Sequence, residues 1–179
     1  MFDEAGGVFD ASRCLVMIPV TASQLVALGR GVPLSGPLPA VAANAEVAET
    51  FGVEPGEDTE AAALQLADVC GLTGAYGTPD EHSPVATRQV VVANLAESQA
   101  VPVPSETANG VVALAGLGRD EVTAVFTGSC DVSVLVAAAG LDLDAAWQLP
   151  SVQAMLAQRP LSWHDRSELS GQLFELAKL

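Results

Sequence analysis

Cys130 and His164 are the side chains best suited to nucleophilic chemistry. Cys130 lies between a predicted strand at residues 122–127 and an apolar stretch predicted to be helical, and a helix N-terminus at that point would lower the pKa of the thiol. His164 would act as the base, with Asp131 or Asp165 to orient its ring. Free cysteine is among the most buried residue types, so a small core side chain is the alternative that we favour for Cys130.

Trp163, His164 and Asp165 form the densest group of chemically capable side chains. Ser162 and Asp165 have the spacing of a capping box, and Trp163 can close the core against Phe174. We favour this structural interpretation. The alternative is a contact surface for a partner protein, with Trp163 as its anchor and His164 and Asp165 beside it.

Asp80, Glu81 and His82 offer three potential metal ligands in a row. Consecutive residues rarely converge on one ion, and the chain has only one other histidine, so a solvated loop is the better interpretation. The sequence contains no Walker A loop, no G-x-G-x-x-G after a strand, no G-x-S-x-G and no H-E-x-x-H. We therefore predict no metal and no cofactor.

The charge balance restricts the class of partner. Seven Lys and Arg against 22 Asp and Glu give a net charge of -15, which repels nucleic-acid phosphates and anionic lipid surfaces. The longest apolar stretch, residues 132–141, has about half of the roughly 20 residues that cross a bilayer. Three distant cysteines without a C-x-x-C pair and an acidic N-terminus predict reduced thiols and a cytoplasmic protein.

A run of β-branched residues at 88–95 predicts a strand buried on both faces, onto which the remaining elements pack. Partner strands are predicted at residues 14–20, 38–42, 111–115 and 122–127, with a further short strand at 160–164. Residues 116–121 suit either a hairpin or a short helical link. The fold class is therefore α+β (α/β), a mixed sheet of about five strands covered by alanine-rich helices.

Local signals place the helices and connections. Thr21 and Gln24 have the spacing of a capping box, Asn44 suits an N-cap, and Gly52 suits the end of the short helix that follows. Residues 71–87 are predicted to form a long loop, and 101–104 another connection. Residues 1–12 are expected to be a flexible arm and residues 13–179 a single domain.

Several segments of the chain resemble one family. They are the opening strand into Pro19-Val20-Thr21, the acidic start of a helix at Glu57, the step from Arg88 into valines, and Leu161-Ser162-Trp163-His164-Asp165. Over most of residues 13–169 the chain is similar to a family of short, alanine-rich actinobacterial proteins known only as a domain of unknown function. The resemblance implies no activity and no functional residues.

The absence of catalytic motifs and the acidic composition favour a non-catalytic module that binds or regulates another protein. One alternative is a small cysteine-dependent hydrolase or transferase that uses Cys130 and His164. The other is a structural homo-oligomer. Cys130→Ser and His164→Ala would leave the phenotype of a binding module intact but abolish the activity of the enzyme, and the mass of the protein would identify the homo-oligomer.

Overall fold

Seven strands form one antiparallel sheet in the computed structural model, which describes residues 12–78, 80 and 82–170. In chain order the strands are β1 (Arg13–Pro19), β2 (Leu34–Ala42), β3 (Val85–Ala96), β4 (Ala100–Pro102), β5 (Val111–Leu117), β6 (Val122–Asp131) and β7 (Ser162–Asp165). Their order across the sheet is β4-β5-β2-β1-β3-β6-β7. The two shortest strands therefore lie at the two edges.

Strand β3 is the longest of the sheet, and it pairs with β1 on one side and β6 on the other. Six consecutive residues of β3, from Arg88 to Ala93, are buried. Side chains alternate between the faces of a strand, so both faces must be covered here. The predicted buried strand is confirmed, and β3 carries a charged residue, Arg88, into the interior.

The described residues contain six α-helices. They are α1 (Ala22–Gly29), α2 (Ala45–Phe51), α3 (Glu57–Cys70), α4 (Val132–Ala138), α5 (Leu143–Trp147) and α6 (Pro150–Gln158). Of these, α1, α3 and α4 pack directly on the sheet. The capping box of α1 is confirmed, because Gln24 N–H donates to the Thr21 hydroxyl (3.1 Å) and Thr21 N–H donates to Gln24 Oε1 (2.9 Å). Asn44 caps α2 through a bond from Val47 N–H (3.1 Å).

The sheet separates two apolar cores. On one face Met17, Val90 and Val92 pack with buried residues of α3, α4, α5 and α6. On the other face Ile18 and Val91 pack with residues of α1 and with Leu169, which lies in the 3₁₀-helical turn Arg166–Ser170. We call these the α3 face and the α1 face.

The α+β class is confirmed, but the predicted mixed sheet of about five strands is wrong in strand number and direction. Every pairing of the sheet is antiparallel. The segment beginning at Val101, predicted as a connection, contributes β4, and Pro102 is tolerated there because an edge strand can leave one side unpaired. The short strand predicted at 160–164 is present as β7.

Two predicted connections also differ from the structure. The loop predicted at residues 71–87 is shorter, because Gly71–Ala75 continues α3 as a π-helical turn and β3 begins at Val85. Between β5 and β6 the chain forms the 3₁₀-helical turn Arg119–Glu121. A hairpin is excluded there because β5 pairs with β2 and β4, whereas β6 pairs with β3 and β7.

The predicted N-terminal arm lies outside the described residues apart from Ser12, whose carbonyl oxygen accepts a hydrogen bond from Glu97 N–H (2.8 Å). None of the helices in the described part of the chain combines the length and the apolar character that crossing a bilayer requires.

Candidate functional site

A buried ion pair joins α3 to the sheet. Asp68 is 2% exposed and lies among apolar neighbours on the inner side of α3, while Arg88 is 1% exposed at the start of the buried part of β3. The Asp68 carboxylate accepts a hydrogen bond from Nη1 of Arg88. A buried charge without such a partner would be strongly destabilising, so each residue requires the other.

The remaining polar atoms of this pair are also occupied. The Tyr76 hydroxyl donates to the other Asp68 carboxylate oxygen (2.7 Å). Arg88 donates from Nε to the Ser129 carbonyl oxygen (3.1 Å) and from Nη2 to the Arg159 carbonyl oxygen. We call Asp68, Tyr76 and Arg88 the buried cluster. It ties α3, β3, β6 and the residue after α6 to one another.

Burial dominates the ionisation of Asp68 and Tyr76. It raises the pKa of Asp68, although the Arg88 guanidinium and the Tyr76 hydroxyl act in the opposite direction. Burial and the neighbouring Asp68 carboxylate raise the pKa of Tyr76 well above its usual range. Since all three side chains are shielded from solvent and bonded to protein groups, the arrangement suits positioning rather than proton transfer.

Next to the buried cluster, two adjoining cavities open on the α3 face. The larger, of about 510 Å³, lies between α3 and Trp163, and the smaller, of about 150 Å³, lies between α3 and the segment linking α6 to β7. Both are lined by Ala61 and Leu64, so they lie side by side along α3, and we call the two cavities together the trough.

Three parts of the fold build the trough. Helix α3 supplies one wall with residues that recur at intervals of three and four, which places them on one side of the helix: Glu57, Glu60, Ala61, Leu64, Gln65 and Asp68. The floor consists of sheet residues: Leu15, Met17, Val92, Thr123, Ala124 and Phe126. The opposite wall consists of Leu156, Arg159, Pro160, Leu161 and Trp163. At 1.5 Å per residue, the α3 wall is about 16 Å long.

Trp163 is the most exposed large apolar side chain of the trough, at 60%. It lies on the edge strand β7 and is paired with Phe126 of β6, so both side chains are on the α3 face. The predicted packing of Trp163 against Phe174 lies outside the described residues, because Phe174 does; the Trp163 ring itself is exposed. The predicted capping box at Ser162 is also wrong, because Ser162–Asp165 is a strand.

His164 points to the opposite face from Trp163. It pairs with Val125, a residue of the α1 face, and its Nε2 lies 2.8 Å from the Thr127 hydroxyl. Its Nδ1 lies 3.5 Å from Glu168 Oε2. Asp165 adjoins this pair: its backbone N–H donates to Glu168 (2.9 Å), and its carboxylate accepts from Ser167 N–H (2.9 Å), a bond that lowers the pKa of Asp165.

Cys130 and His164 are not brought together. Cys130 is 1% exposed and packs in the core of the α3 face, on the other side of the sheet from His164. Burial raises the pKa of the Cys130 thiol, which is the reverse of the activation that a helix N-terminus would provide. Asp131 does not orient His164 either, because its carboxylate lies 3.6 Å from Arg159 Nη2 at the surface.

The acidic loop shows only a local contact. Asp80 accepts a hydrogen bond from His82 N–H (2.9 Å), and both residues are exposed. Glu81 lies outside the described residues. Across the part of the chain that the structure describes, no three His, Cys, Asp or Glu side chains are grouped closely enough to hold a metal ion.

Sequence reasoning missed the buried cluster, although two signals pointed to it. Arg88 is a permanently charged residue two positions before the apolar run 90–93, and Asp68 interrupts the apolar side of a helix between Ala67 and Val69. Each signal requires a buried counter-charge, so together they indicate an ion pair. The third member, Tyr76, had no comparable signal.

Comparison with known proteins identifies a family but no function. No curated protein and no solved structure matches the chain significantly. A model described as a family of unknown function, DUF6912, matches residues 14–173, which include the buried cluster, the trough and all seven strands apart from Arg13 of β1. The predicted resemblance to a domain of unknown function is thereby confirmed, because the matching family is also uncharacterised. The chain belongs to the family of unknown function DUF6912.

Proposed function

We propose that this chain is a non-catalytic module that binds another protein through the trough, with Trp163 as the anchor. The observation that carries this proposal is the 60% exposure of the Trp163 ring beside a cavity of about 510 Å³ with an apolar floor. Tryptophan is enriched among the residues that dominate binding energy, particularly where it meets apolar neighbours. Contiguous exposed apolar surface, such as this indole beside an apolar cavity, marks interaction sites in proteins.

The interior contacts that hold the walls of the trough support this role. One wall is helix α3, and the other follows Arg159, whose carbonyl oxygen is bound by Arg88 of the buried cluster. The position of the α6 to β7 segment relative to α3 is therefore set by interior contacts. A preformed surface loses little conformational freedom on binding, which favours affinity.

The two alternative functions have less support. A cysteine hydrolase or transferase requires Cys130 and His164 on the same side of the sheet, and they lie on opposite faces. A homo-oligomer assembled through the trough would bring together two chains of net charge -15, and such chains repel each other. We also propose that the protein is cytoplasmic and that its family is actinobacterial and alanine-rich.

Native mass spectrometry of the protein purified gently from its own cells tests the proposal. We expect a copurifying polypeptide with the wild type and with Val136→Ala, and its loss with Trp163→Ala. Val136 is a suitable control because it is 59% exposed on α4, outside the trough. A second polypeptide that is retained equally by all three proteins would contradict docking at Trp163. A doubled mass of this chain alone would support the homo-oligomer instead.

A further inference from the structure

Given the proposed function, on which this inference rests, the geometry points to a partner segment of a particular chemistry. We infer that the trough receives a basic side chain, Lys or Arg, that lies against Trp163 and beside the carboxylates of Glu57 and Glu60. The segment carrying it also presents apolar side chains to the floor of the trough. The inference thus specifies both the charge and the apolar character of the partner.

The charges around the larger cavity favour a cation. Glu57 and Glu60 are exposed and line it together with Trp163, and its lining within the described residues includes no basic side chain. Arg159 lines only the smaller cavity, and its guanidinium is 3.6 Å from the Asp131 carboxylate. The two carboxylates would repel an anionic segment and would add no attraction for a neutral one.

The N-terminus of α3 does not cancel this preference. Glu57 and Glu60 belong to the first turn of the helix, where the helix dipole is equivalent to about half a positive charge. Two carboxylates carry about four times that charge in the opposite sense. The mouth of the cavity therefore has a negative potential, which the overall charge of -15 strengthens.

Lys and Arg suit both components of the site. Their aliphatic stems pack along apolar surface while their charged heads remain hydrated or paired, which matches an apolar floor beneath an acidic rim. A cation within about 6 Å of an indole centroid is attracted by the ring, and carboxylates supply charge-assisted hydrogen bonds. Trp163 alone would accept many apolar groups, so the two glutamates determine the selectivity for a cation.

A second copy of the chain is a poor source of this basic residue. The sequence holds only seven Lys and Arg against 22 acids, and one of the seven, Arg88, is buried in the ion pair with Asp68. A segment of a different and more basic protein is the better complement. Electrostatic attraction of that kind also accelerates association at low salt.

A phage-displayed library of random peptides, selected on the full wild-type chain and counter-selected on Trp163→Ala, tests the inference. We expect the enriched peptides to share a Lys or Arg flanked by apolar residues. Trp163-dependent peptides without a shared basic residue would overturn this inference while leaving the proposed function standing. A library that yields no Trp163-dependent peptides would overturn both.

Titration of an enriched peptide then separates the glutamates from general charge. We expect the double variant Glu57→Gln, Glu60→Gln to bind about tenfold more weakly than the wild type at about 0.05 M salt, and the difference to shrink at about 0.5 M because salt screens exposed charges. The control Glu46→Gln, Glu49→Gln removes the same charge from the exposed side of α2 and should change binding less than twofold. Equal losses in both double variants would contradict a local role of Glu57 and Glu60.

Discussion

Helix α3 takes part in two regions that use charge and apolar surface in opposite ways. In the buried cluster a carboxylate and a guanidinium lie in the interior with their polar atoms bonded to protein groups. In the trough, an exposed indole lies beside a cavity lined by buried and half-buried apolar side chains. Asp68 belongs to both, since it closes the inner end of the trough wall. The first region fixes geometry, and the second leaves surface for contact.

The comparison shows that the residues that hold the elements in place differ in their exposure from the residues that are available for binding. Among the described residues, no buried side-chain nitrogen or oxygen lacks a hydrogen-bond partner, so the interior has no free polar group with which to bind a ligand. Trp163, Glu57 and Glu60, by contrast, are exposed. Substitutions in the buried cluster should therefore change stability, and substitutions in the trough should change binding.

The largest expected effect comes from breaking the ion pair. Arg88→Met would leave the Asp68 carboxylate buried without its counter-charge, and we expect the free energy of unfolding to fall by about 3–5 kcal/mol. Urea denaturation monitored by circular dichroism measures this loss. The double variant Asp68→Leu, Arg88→Met removes both charges and should be more stable than Arg88→Met alone. A double variant that is less stable than Arg88→Met would contradict the coupling of these two residues.

An intermediate effect on the free energy of unfolding is expected at high pH, where the buried thiol of Cys70 would have to become a thiolate. Burial, with a smaller contribution from Glu106, raises the pKa of Cys70, the last residue of α3, from its ordinary value of 9.0 to about 11. The unfolded thiol loses its proton in the window between these values while the folded thiol keeps it, so stability is retained below pH 9 and falls as the pH rises.

We therefore expect the wild type to lose about 1 kcal/mol more unfolding free energy between pH 8 and pH 10 than the variant Cys70→Val, which has no thiol at that position. Chemical denaturation at the two pH values gives the comparison. The other titrating groups are common to both proteins, so they cancel in the difference. Identical pH dependence in the two proteins would show that Cys70 ionises normally.

The smallest effect on stability is expected at Trp163 itself. Trp163→Ala removes an exposed side chain and should change the free energy of unfolding by about 0.5 kcal/mol or less. Trp147 provides the contrast: it is half-buried and its ring meets Phe51 edge to face at a centroid distance of 5.5 Å, so Trp147→Ala should cost about 2 kcal/mol. Thermal denaturation of both variants measures the two effects. A larger loss of stability for Trp163→Ala than for Trp147→Ala would contradict the prediction.

Much of the fold was accessible from the sequence because its signals are local. The β-branched run of β3, the capping box at Thr21 and the N-cap at Asn44 each depend on residues within one element, and the structure confirms all three. Strand direction was not accessible, because a buried antiparallel strand and a buried parallel strand have the same apolar pattern. Pro102 likewise concealed β4, since proline marks both turns and edge strands.

The candidate site was harder to predict because its parts come from distant segments. The sequence predicts Trp163 as a candidate anchor, but the exposure of its ring depends on the positions of α3 and β6 in the fold. No local sequence pattern specifies those positions. Asp68 and Arg88 are 20 residues apart in the sequence, and Arg88 and Arg159 are 71 apart. Contacts of this separation are set by topology, which the pattern of apolar residues leaves open.

The contact between Arg88 and the Arg159 carbonyl oxygen also affects when the trough can form during synthesis. One wall comes from Glu57–Cys70 and the other ends at Trp163, with the whole of β3 to α6 between them. A nascent chain that has emerged only as far as β6 has the helix and the floor but not the second wall. Ribosomes synthesise chains at about 5–20 residues per second, so the second wall is synthesised several seconds after the first. The surface is thus restricted to molecules whose synthesis has passed Trp163, and incomplete chains cannot compete for the partner.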